Sequence, residues 1–542
     1  MHASQLSNCS ESSAGLLFPA SLPSWLSSAE SLRPLLAAQS QAALDAFDAA
    51  HPHHAQDDLR VTYFVTWGQD MRSRVQSALE GGGGGDTAPP LVSAAGGAVS
   101  QASTAPPLGA EESQHCALIT HVCALPARPQ PPVHLLVRGA PRHNAGAKSS
   151  DWVKQRAGLE ALLKAGDTAL EEIILHTPEG GLLEGLSTNV AAVCGGGVVT
   201  PHEGVLHGTV REVLLEMAAA ARIPVHLEAP SLSALAACTG VSVSSTSRLS
   251  LPGSSVELPV ALLGAASKGG EPQHDKLAMA QRSTAAWLQC VQASAAAQGV
   301  AAAAVAGSAV ELAPPTPLAE LKEVFETTEP YVMHMPHPSG DGGAFVFAGP
   351  PPDSDKQPVT VAGLRELTAA EADTLPRMRY RLLEPADAGS HAVLDFFTTQ
   401  VPPEFRGAGM AGKLARGALD TTALLGARAK PSCSYLHATF VPRNLGYMDV
   451  VSEITPEMQA AAEAALAAVT SSPDTDSQAA AAEGAGGGTS VQLGALHPSK
   501  VRMRCSDEHE GHVHVAFSLS PVSQLLDAMV QAQVASHSTK VR

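Results

Sequence analysis

The stretch that most restricts the fold of this chain is residues 182–211, LLEGLSTNVAAVCGGGVVTPHEGVLHGTVR. Apolar alternation on either side of Gly195-Gly196-Gly197 predicts a β-hairpin with the glycines at its tip, where tight turns need glycine's conformational range. Thr200-Pro201 ends the second strand. Gly208-Thr209 then opens a helix to Ile223 on which Val210, Val213, Leu214, Met217, Ala218 and Ala221 share one face. Upstream, VKQRAGLEALLKA has helical periodicity, and ALEEIILHTP reads as a strand ending in a turn at Glu179-Gly180-Gly181. Downstream, VHLEAP, a short helix and VSVSSTSR complete an α/β unit near residue 265.

A chain of 542 residues is long for one domain and predicts two or three. The net charge of −18 is spread along the sequence, which argues against a nucleic-acid or anionic-membrane partner, since both need a basic footprint. No apolar run reaches the roughly 18 residues needed to span a bilayer. Eight cysteines stand without a CxxC pair, a pattern expected of unpaired thiols in a reducing compartment. The first 20 residues read as a disordered or targeting segment; the wider start is Ser-rich and acid-poor but has no arginine up to Trp25. Cytoplasm is the expected location, with plastid or mitochondrion as the alternative.

Composition divides the remainder. Residues 21–50 are helix-like and LRVTYFVTW, 59–67, alternates as a strand. A Gly/Pro-rich insertion covers 80–113, and HCALITHVCAL and HLLVRG then read as strands. Residues 266–375 are predicted to be linker with Ala-rich helical stretches at 277–305. A second α/β unit is expected over 376–452: strand HAVLDFFTTQV, loop PPEFRGAG, an amphipathic helix over 411–427, and strand SCSYLHATFV. Low-complexity linker at 453–492 and a small tail at 493–542 complete the division.

Residues 148–248 place chemistry-bearing groups in a definite order: Lys148 in AGAKSSDWVKQR, Glu184 in LLEGLSTN, Gly208-Thr209-Val210 at a helix start, and Ser245-Thr246 in VSSTSR. A helix N-terminus offers free backbone N–H groups and a dipole to a phosphate, and a pocket lysine can act as a nucleophile. The order resembles the class IV pyridoxal-phosphate-dependent aminotransferases (branched-chain and D-amino-acid aminotransferases, aminodeoxychorismate lyase). The resemblance implies a fold-type IV domain over 21–265 with pyridoxal 5′-phosphate as cofactor. It further implies Lys148 as the Schiff-base residue, Glu184 at the pyridine nitrogen, and Gly208, Thr209, Val210, Ser245 and Thr246 at the phosphate. Thr188 and Asn189 would lie on the substrate side, and members pair as homodimers. Members also carry a small-domain arginine that holds the phosphate; in SAESLRPL its position falls to Arg33, directly before Pro34. A reduced domain serving as a binding platform is the alternative to an active one.

The second motif, VPPEFRGAGMAGKLARGALD, contains Arg406-Gly407-Ala408-Gly409-Met410-Ala411 at a helix start. Glycines there let backbone N–H groups come close to a pyrophosphate. With the flanking strands it resembles the GCN5-related N-acetyltransferases of the short YjdJ type. In that type a His-Thr-x-Val-Pro strand precedes the loop and Pro-Ser-Cys-Ser-Tyr follows the helix. Here the strand is Thr398-Thr399-Gln400-Val401-Pro402, without the histidine. The resemblance implies acetyl-CoA as co-substrate, held by residues 406–411. Cys433 and Tyr435, at alternate positions of a predicted strand, would face one side as candidate catalytic groups. Glu404 is a weaker candidate base.

No metal site is expected: His509, Glu510, His512 and His514 in the tail lack a partner cluster, and His51, His53, His54, His334 and His337 lie in loop-like sequence. The overall expectation is α/β and α+β: a fold-type IV aminotransferase-like domain plus a small acetyltransferase-like α/β domain, joined by low-complexity linkers. The chain would act on a small-molecule amine or amino acid, or, if both motifs are degenerate, serve as a scaffold.

Overall fold

The computed structural model describes residues 28–52, 59–67, 98–100, 116–165, 170–259, 310–312, 324–471, 501–505 and 511–538, apart from 195, 233–234, 236–237, 328, 353–356, 367–370, 372, 384–391, 426 and 518–519. The Ala-rich stretch at 277–305, the first 20 residues and most of the 80–113 insertion lie outside the described residues.

The chain divides into two compact units. The first comprises residues 1–129 and 146–151. In it helix α1 (Ala29–Ala50) packs on a three-stranded sheet ordered β1 (Leu59–Trp67), β3 (Cys116–Ala124), β2 (Ala98–Ser100). Ser28 caps α1 by accepting the Ser31 N–H at 3.1 Å. The spacing of Ala43 and Phe47 puts them on one helical face, where they pack with Val122, Leu59 and Val61.

The second unit contains residues 130–145 and 152–542. Its first half holds β4 (Val133–Val137), β5 (Leu170–His176), β6 (Leu182–Gly185), β7 (Asn189–Cys194), β8 (Gly197–Val199), β9 (Val225–His226), β10 (Cys238–Ser245) and β11 (Leu249–Pro259). Helices α2 (Asp151–Gln155), α3 (Ala157–Ala165) and α4 (Thr209–Ala220) lie between them. Strand pairing runs β11-β4-β5-β6-β7, and β10 pairs with both β7 and β11, so six strands close on themselves as a barrel. Alternation decides the lining. Val133, Leu135 and Val137 of β4 join Val190, Ala192, Val241 and Val243 in one cluster, while Leu136 points to the opposite face and packs with Leu159 of α3.

The second half builds a six-stranded sheet ordered β13 (Phe325–Glu326), β14 (Val332–Pro336), β15 (Gly342–Phe347), β16 (Arg377–Leu383), β17 (Val393–Gln400), β18 (Arg428–Lys430). Neighbours are antiparallel except β17 and β18, which run parallel because helix α6 (Met410–Leu424) carries the chain back between them. A short helix, α5 (Val361–Glu366), precedes β16. Pairing of β17 with β18 ends at Asp395–Lys430, and β17 continues to Gln400.

Several sequence-based expectations are corrected. The 266–375 segment is not simply linker: β13, β14, β15 and α5 fall inside it, and Val332, Phe345 and Phe347 enter the core. Their brevity and glycine content hide them from a composition reading. Helix α7 (Pro456–Ser471) occupies the predicted linker at 453–492 and buries Met458, Ala462, Leu466 and Val469, a helical stripe masked by alanines. The tail is integral to the fold. Strand β12 (Val310–Leu312) pairs with β19 (Val501–Cys505), which pairs with β20 (Gly511–Ala516), and β20 lies antiparallel to β11 of the barrel. Helix α8 (Pro521–Ser538) buries Val522, Leu525, Leu526, Met529 and Val530 in the core shared with α4 and α6. The six-stranded sheet is therefore inserted in sequence between two parts of one larger sheet. The cysteine expectation also changes: Cys194 and Cys238, opposite each other on β7 and β10, form a disulfide. Sequence separation, here 44 residues, gives no hint of that register.

Candidate functional site

Two sites emerge in the second unit. The first surrounds Glu184 at the end of the barrel. Glu184 on β6 is the cross-strand partner of Asn189 on β7. Their side chains grip the same residue: Glu184 Oε2 accepts the Leu206 N–H at 2.9 Å, and Asn189 Nδ2 donates to the Leu206 carbonyl at 2.6 Å. That double hold fixes the loop leading to Gly208, the N-cap of α4. A Cβ at Gly208 would lie 2.1 Å from Asn189 Oδ1, so any other residue there would displace the Asn189 amide from Leu206. The N–H groups of Val210 and Arg211 meet no acceptor among the described residues, as the first turn of a helix leaves them. The Val210 side chain is buried in the core, so it offers only its backbone.

Glu184 Oε1 pairs with Arg142 Nε at 3.0 Å, and the two side chains are only 6% and 5% exposed. Arg142 also donates to the Ala145 carbonyl and lies over the Trp152 ring. Burial raises the Glu184 carboxyl above its ordinary range, and the Arg142 charge and the Leu206 N–H oppose that rise. A second carboxylate, Glu172 on β5, organises the turn between Glu184 and Asn189. Its Oε1 accepts the Leu186 N–H at 3.2 Å, its Oε2 accepts the hydroxyls of Ser187 (3.1 Å) and Thr188 (3.0 Å), and Arg248 pairs with it at 3.3 Å.

The predicted residues divide accordingly. Glu184, Asn189, Gly208 and Thr209 come together. Thr188 is turned away to Glu172, so its hydroxyl is already engaged. Ser245 and Thr246 lie at the β10–β11 turn, whose last residue, Arg248, reaches Glu172. Lys148 belongs to the first unit and is exposed in the turn before α2. Arg33 is also in the first unit, exposed on α1. Sequence reasoning missed Arg142, Glu172 and Arg248 as site residues, since each stands among other polar residues and gains its role only from partners far along the chain.

The second site is a cleft of about 480 Å³ at the start of α6, lined on one side by residues 405–407, 409–412 and Arg416 and on the other by Tyr435, Thr439, Phe440, Arg443 and Asn444. Gly407 (φ 84°) and Gly409 (φ 70°) are in the left-handed region. A Cβ at either would meet nothing within 4 Å, so backbone conformation and not crowding demands glycine. N–H groups of residues 407–411 have no acceptor among the described residues. Arg406 and Met410 line the cleft beside them, Ala411 as well, whereas Ala408 packs against the core and Glu404 is exposed on a 3-10 turn away from it.

Cys433 and Tyr435 do not share a face. The predicted strand SCSYLHATFV is helical over 434–443, and residues two apart on a helix point to nearly opposite sides. Tyr435 lines the cleft; Cys433 is buried with its Sγ 3.2 Å from Thr399 Oγ1. Burial raises the Tyr435 phenol above its ordinary value, with Arg416 and Arg443 opposing the rise. Arg416 Nε is held by Glu329 at 3.1 Å. Among the described residues no group of three His, Cys, Asp or Glu side chains could hold a metal ion, and no helix is long and apolar enough to cross a membrane.

Comparison with known proteins places families on both segments. Residues 69–256 match amino-transferase class IV, and residues 366–450 match the GCN5-related N-acetyl-transferases. No curated protein matches the chain. A putative branched-chain amino acid aminotransferase from Thermotoga maritima is 19% identical over 29% of this chain and 60% of its own, with a TM-score of 0.22. The branched-chain amino acid aminotransferase of Escherichia coli is 23% identical over 26% of this chain and 49% of its own (TM-score 0.23). An aminotransferase from Brucella abortus bound to the cofactor PLP is 15% identical over 49% of this chain and 81% of its own (TM-score 0.33). The chain thus spans 49% to 60% of the length of the two branched-chain enzymes. It joins a class IV aminotransferase segment, residues 69–256, to a GCN5-related N-acetyltransferase segment, residues 366–450, both from families of transferring enzymes.

Proposed function

We propose that the cleft at α6 binds acetyl-CoA and transfers its acetyl group to the amine of a small molecule or amino acid. The observation that carries this reading is a run of unengaged N–H groups at 407–411, opened by two left-handed glycines and flanked by Arg406, on the wall of a cleft. Such a turn suits a pyrophosphate. In the transfer step the acceptor nitrogen bonds to the thioester carbonyl carbon and releases one proton to water, the C–S bond breaks, and the Tyr435 hydroxyl gives its proton to the departing thiolate and regains one from water. A phenol held above its ordinary value stays protonated and fits that role. Cys433, engaged with Thr399 outside the cleft, packs rather than reacts.

A second reading concerns the barrel. The buried Glu184 carboxylate beside an open helix N-terminus favours pyridoxal 5′-phosphate, with the phosphate at the N–H groups of Val210 and Arg211 and the ring nitrogen at Glu184. When bound, that cofactor supplies an electron sink for carbanion chemistry at an amino acid's α-carbon. Glu184, where Arg142 opposes the rise that burial causes, would face the ring nitrogen. The family resemblance assigns attachment of the cofactor and movement of the α-proton, in amino-acid transamination or elimination, to Lys148, and Lys148→Ala tests that assignment directly.

Native mass spectrometry and calorimetry on the purified full chain test both readings. Acetyl-CoA binds wild type and not Gly409→Asp, whose side chain charge faces the phosphates. Added pyridoxal phosphate gives a visible absorbance band that is lost in Lys148→Ala. Failure of wild type to bind acetyl-CoA overturns the first reading, and a colourless protein overturns the second.

A further inference from the structure

The cleft at α6 is cationic from both sides. Arg416 lines it from α6 and Arg443 from the segment 434–443, and none of the described residues that line it is acidic. This occurs in a chain with 52 acidic and 34 basic side chains, so the cation excess is local and not a consequence of composition. Glu329, outside the lining, holds Arg416 Nε at 3.1 Å, which orients the guanidinium while its Nη groups meet no acceptor among the described residues. Arg443 is exposed at the cleft, with no acidic partner among the described residues. Burial raises the Tyr435 phenol and both arginines oppose that rise, so both charges bear on the hydroxyl assigned above to the departing thiolate.

Two guanidiniums beside the point of bond formation restrict the acceptor. A polyamine or a lysine-rich peptide entering there meets like charge and fits poorly. The same field favours the deprotonated amine that must attack over its ammonium form. An acceptor that brings its own anion gains a contact instead, since guanidinium forks match carboxylate oxygens. Two arginines less one glutamate leave one net positive charge, which a single carboxylate balances and a dianionic phosphate exceeds. We propose that the acetyl acceptor is an α-amino acid whose carboxylate is held by Arg416 and Arg443 while its amine attacks the thioester. This rests on the reading of the cleft as an acetyl-CoA site with Tyr435 at the thiolate. The short spacing of amine and carboxylate in an α-amino acid suits a grip centred on the hydroxyl that serves the reacting atoms. The products are an N-acetylamino acid and the free coenzyme thiol.

Thiol release from acetyl-CoA by the full chain tests the assignment, measured over the common L-amino acids, their amides, their decarboxylated amines and spermidine. At least one amino acid should exceed its own amide and amine in kcat/KM by about tenfold or more, the equivalent of one charged hydrogen bond. Arg443→Ala, at an exposed position, should remove most of that ratio; Arg443→Lys should keep part of it, and Arg443→Glu should shift preference toward the amides. Calorimetry with acetyl-CoA on the same variants separates acceptor from coenzyme. If amides, amines or spermidine match the amino acids, or if acetyl-CoA binds and no amino acid is acetylated, the assignment fails while the acetyl-CoA site stands. If Arg443→Ala weakens acetyl-CoA binding and leaves the ratio intact, the arginine serves the coenzyme and the assignment fails. If wild type does not bind acetyl-CoA, both fall together.

Discussion

The carboxylate of Asp449 accepts the Val522 N–H at 2.9 Å and so caps the first turn of α8 from 73 residues away. The same side chain accepts the Thr239 hydroxyl of β10 at 2.7 Å and that of Ser520. Buried Arg428 donates to its backbone carbonyl. One fully buried aspartate thereby ties the barrel, the six-stranded sheet and the C-terminal helix together. Asp449→Ala removes the acceptor for three donors and leaves the Arg428 charge buried, with an expected loss of about 3 kcal/mol or more of stability. Denaturant unfolding followed by circular dichroism checks this; a change within error would mean the network contributes nothing.

Burial also raises the Asp449 carboxyl above its ordinary value of 3.8. The native chain therefore keeps a proton there at pH values where the unfolded chain has lost it. Linkage then makes stability fall as pH rises from about 3.8 through the raised native value. Asp449→Asn should lack that part of the slope, which parallel unfolding curves across this interval would reveal.

Glu172 accepts two N–H groups, from Ile173 and Leu186, together with the Ser187 and Thr188 hydroxyls and Arg248. Glu172→Ala should cost about 3 kcal/mol, and Glu172→Gln less, because the amide keeps one acceptor oxygen. Binding of pyridoxal phosphate should weaken in both, since the turn that positions Glu184 and Asn189 loosens. Thermal melts and absorbance titration separate the two effects.

Arg142 opposes the rise of the Glu184 carboxyl that burial causes. In Arg142→Met the carboxylate should hold its proton to higher pH, leaving it neutral where the cofactor's ring nitrogen needs an anion. Affinity for pyridoxal phosphate near neutral pH should drop about tenfold and recover as pH is raised. An unchanged pH profile would show that Arg142 is not what keeps Glu184 charged.

Gly407→Ala and Gly409→Ala add a methyl group into open space, so any cost comes from left-handed backbone alone. Each should lose about 1 kcal/mol, with acetyl-CoA affinity falling as the amide turn relaxes. Calorimetry with acetyl-CoA and a melting curve on each variant measure both terms.

Local order and periodicity were legible in the sequence. The hairpin of β7 and β8, the apolar face of α4, the buried face of α6 at Leu414, Ala415, Ala418 and Leu419, and the glycine turn before it all follow from spacing that neighbouring residues set. The expectation that Glu184 and Gly208 belong to one site and residues 406–411 to another rests on the family resemblances rather than on spacing. Tertiary structure alone decided what depends on contacts between distant residues. Segment 434–443 coils although it alternates like a strand, because Leu436, Phe440 and Val441 bury one helical side in the core. That choice separates Cys433 from Tyr435. Arg142, Glu172 and Asp449 acquire meaning only from the partners that folding supplies, 42, 14 and 73 residues away. The last strands and helix rejoin the barrel for the same reason: burial of apolar faces is satisfied by whatever surface lies nearby in space, irrespective of distance along the chain.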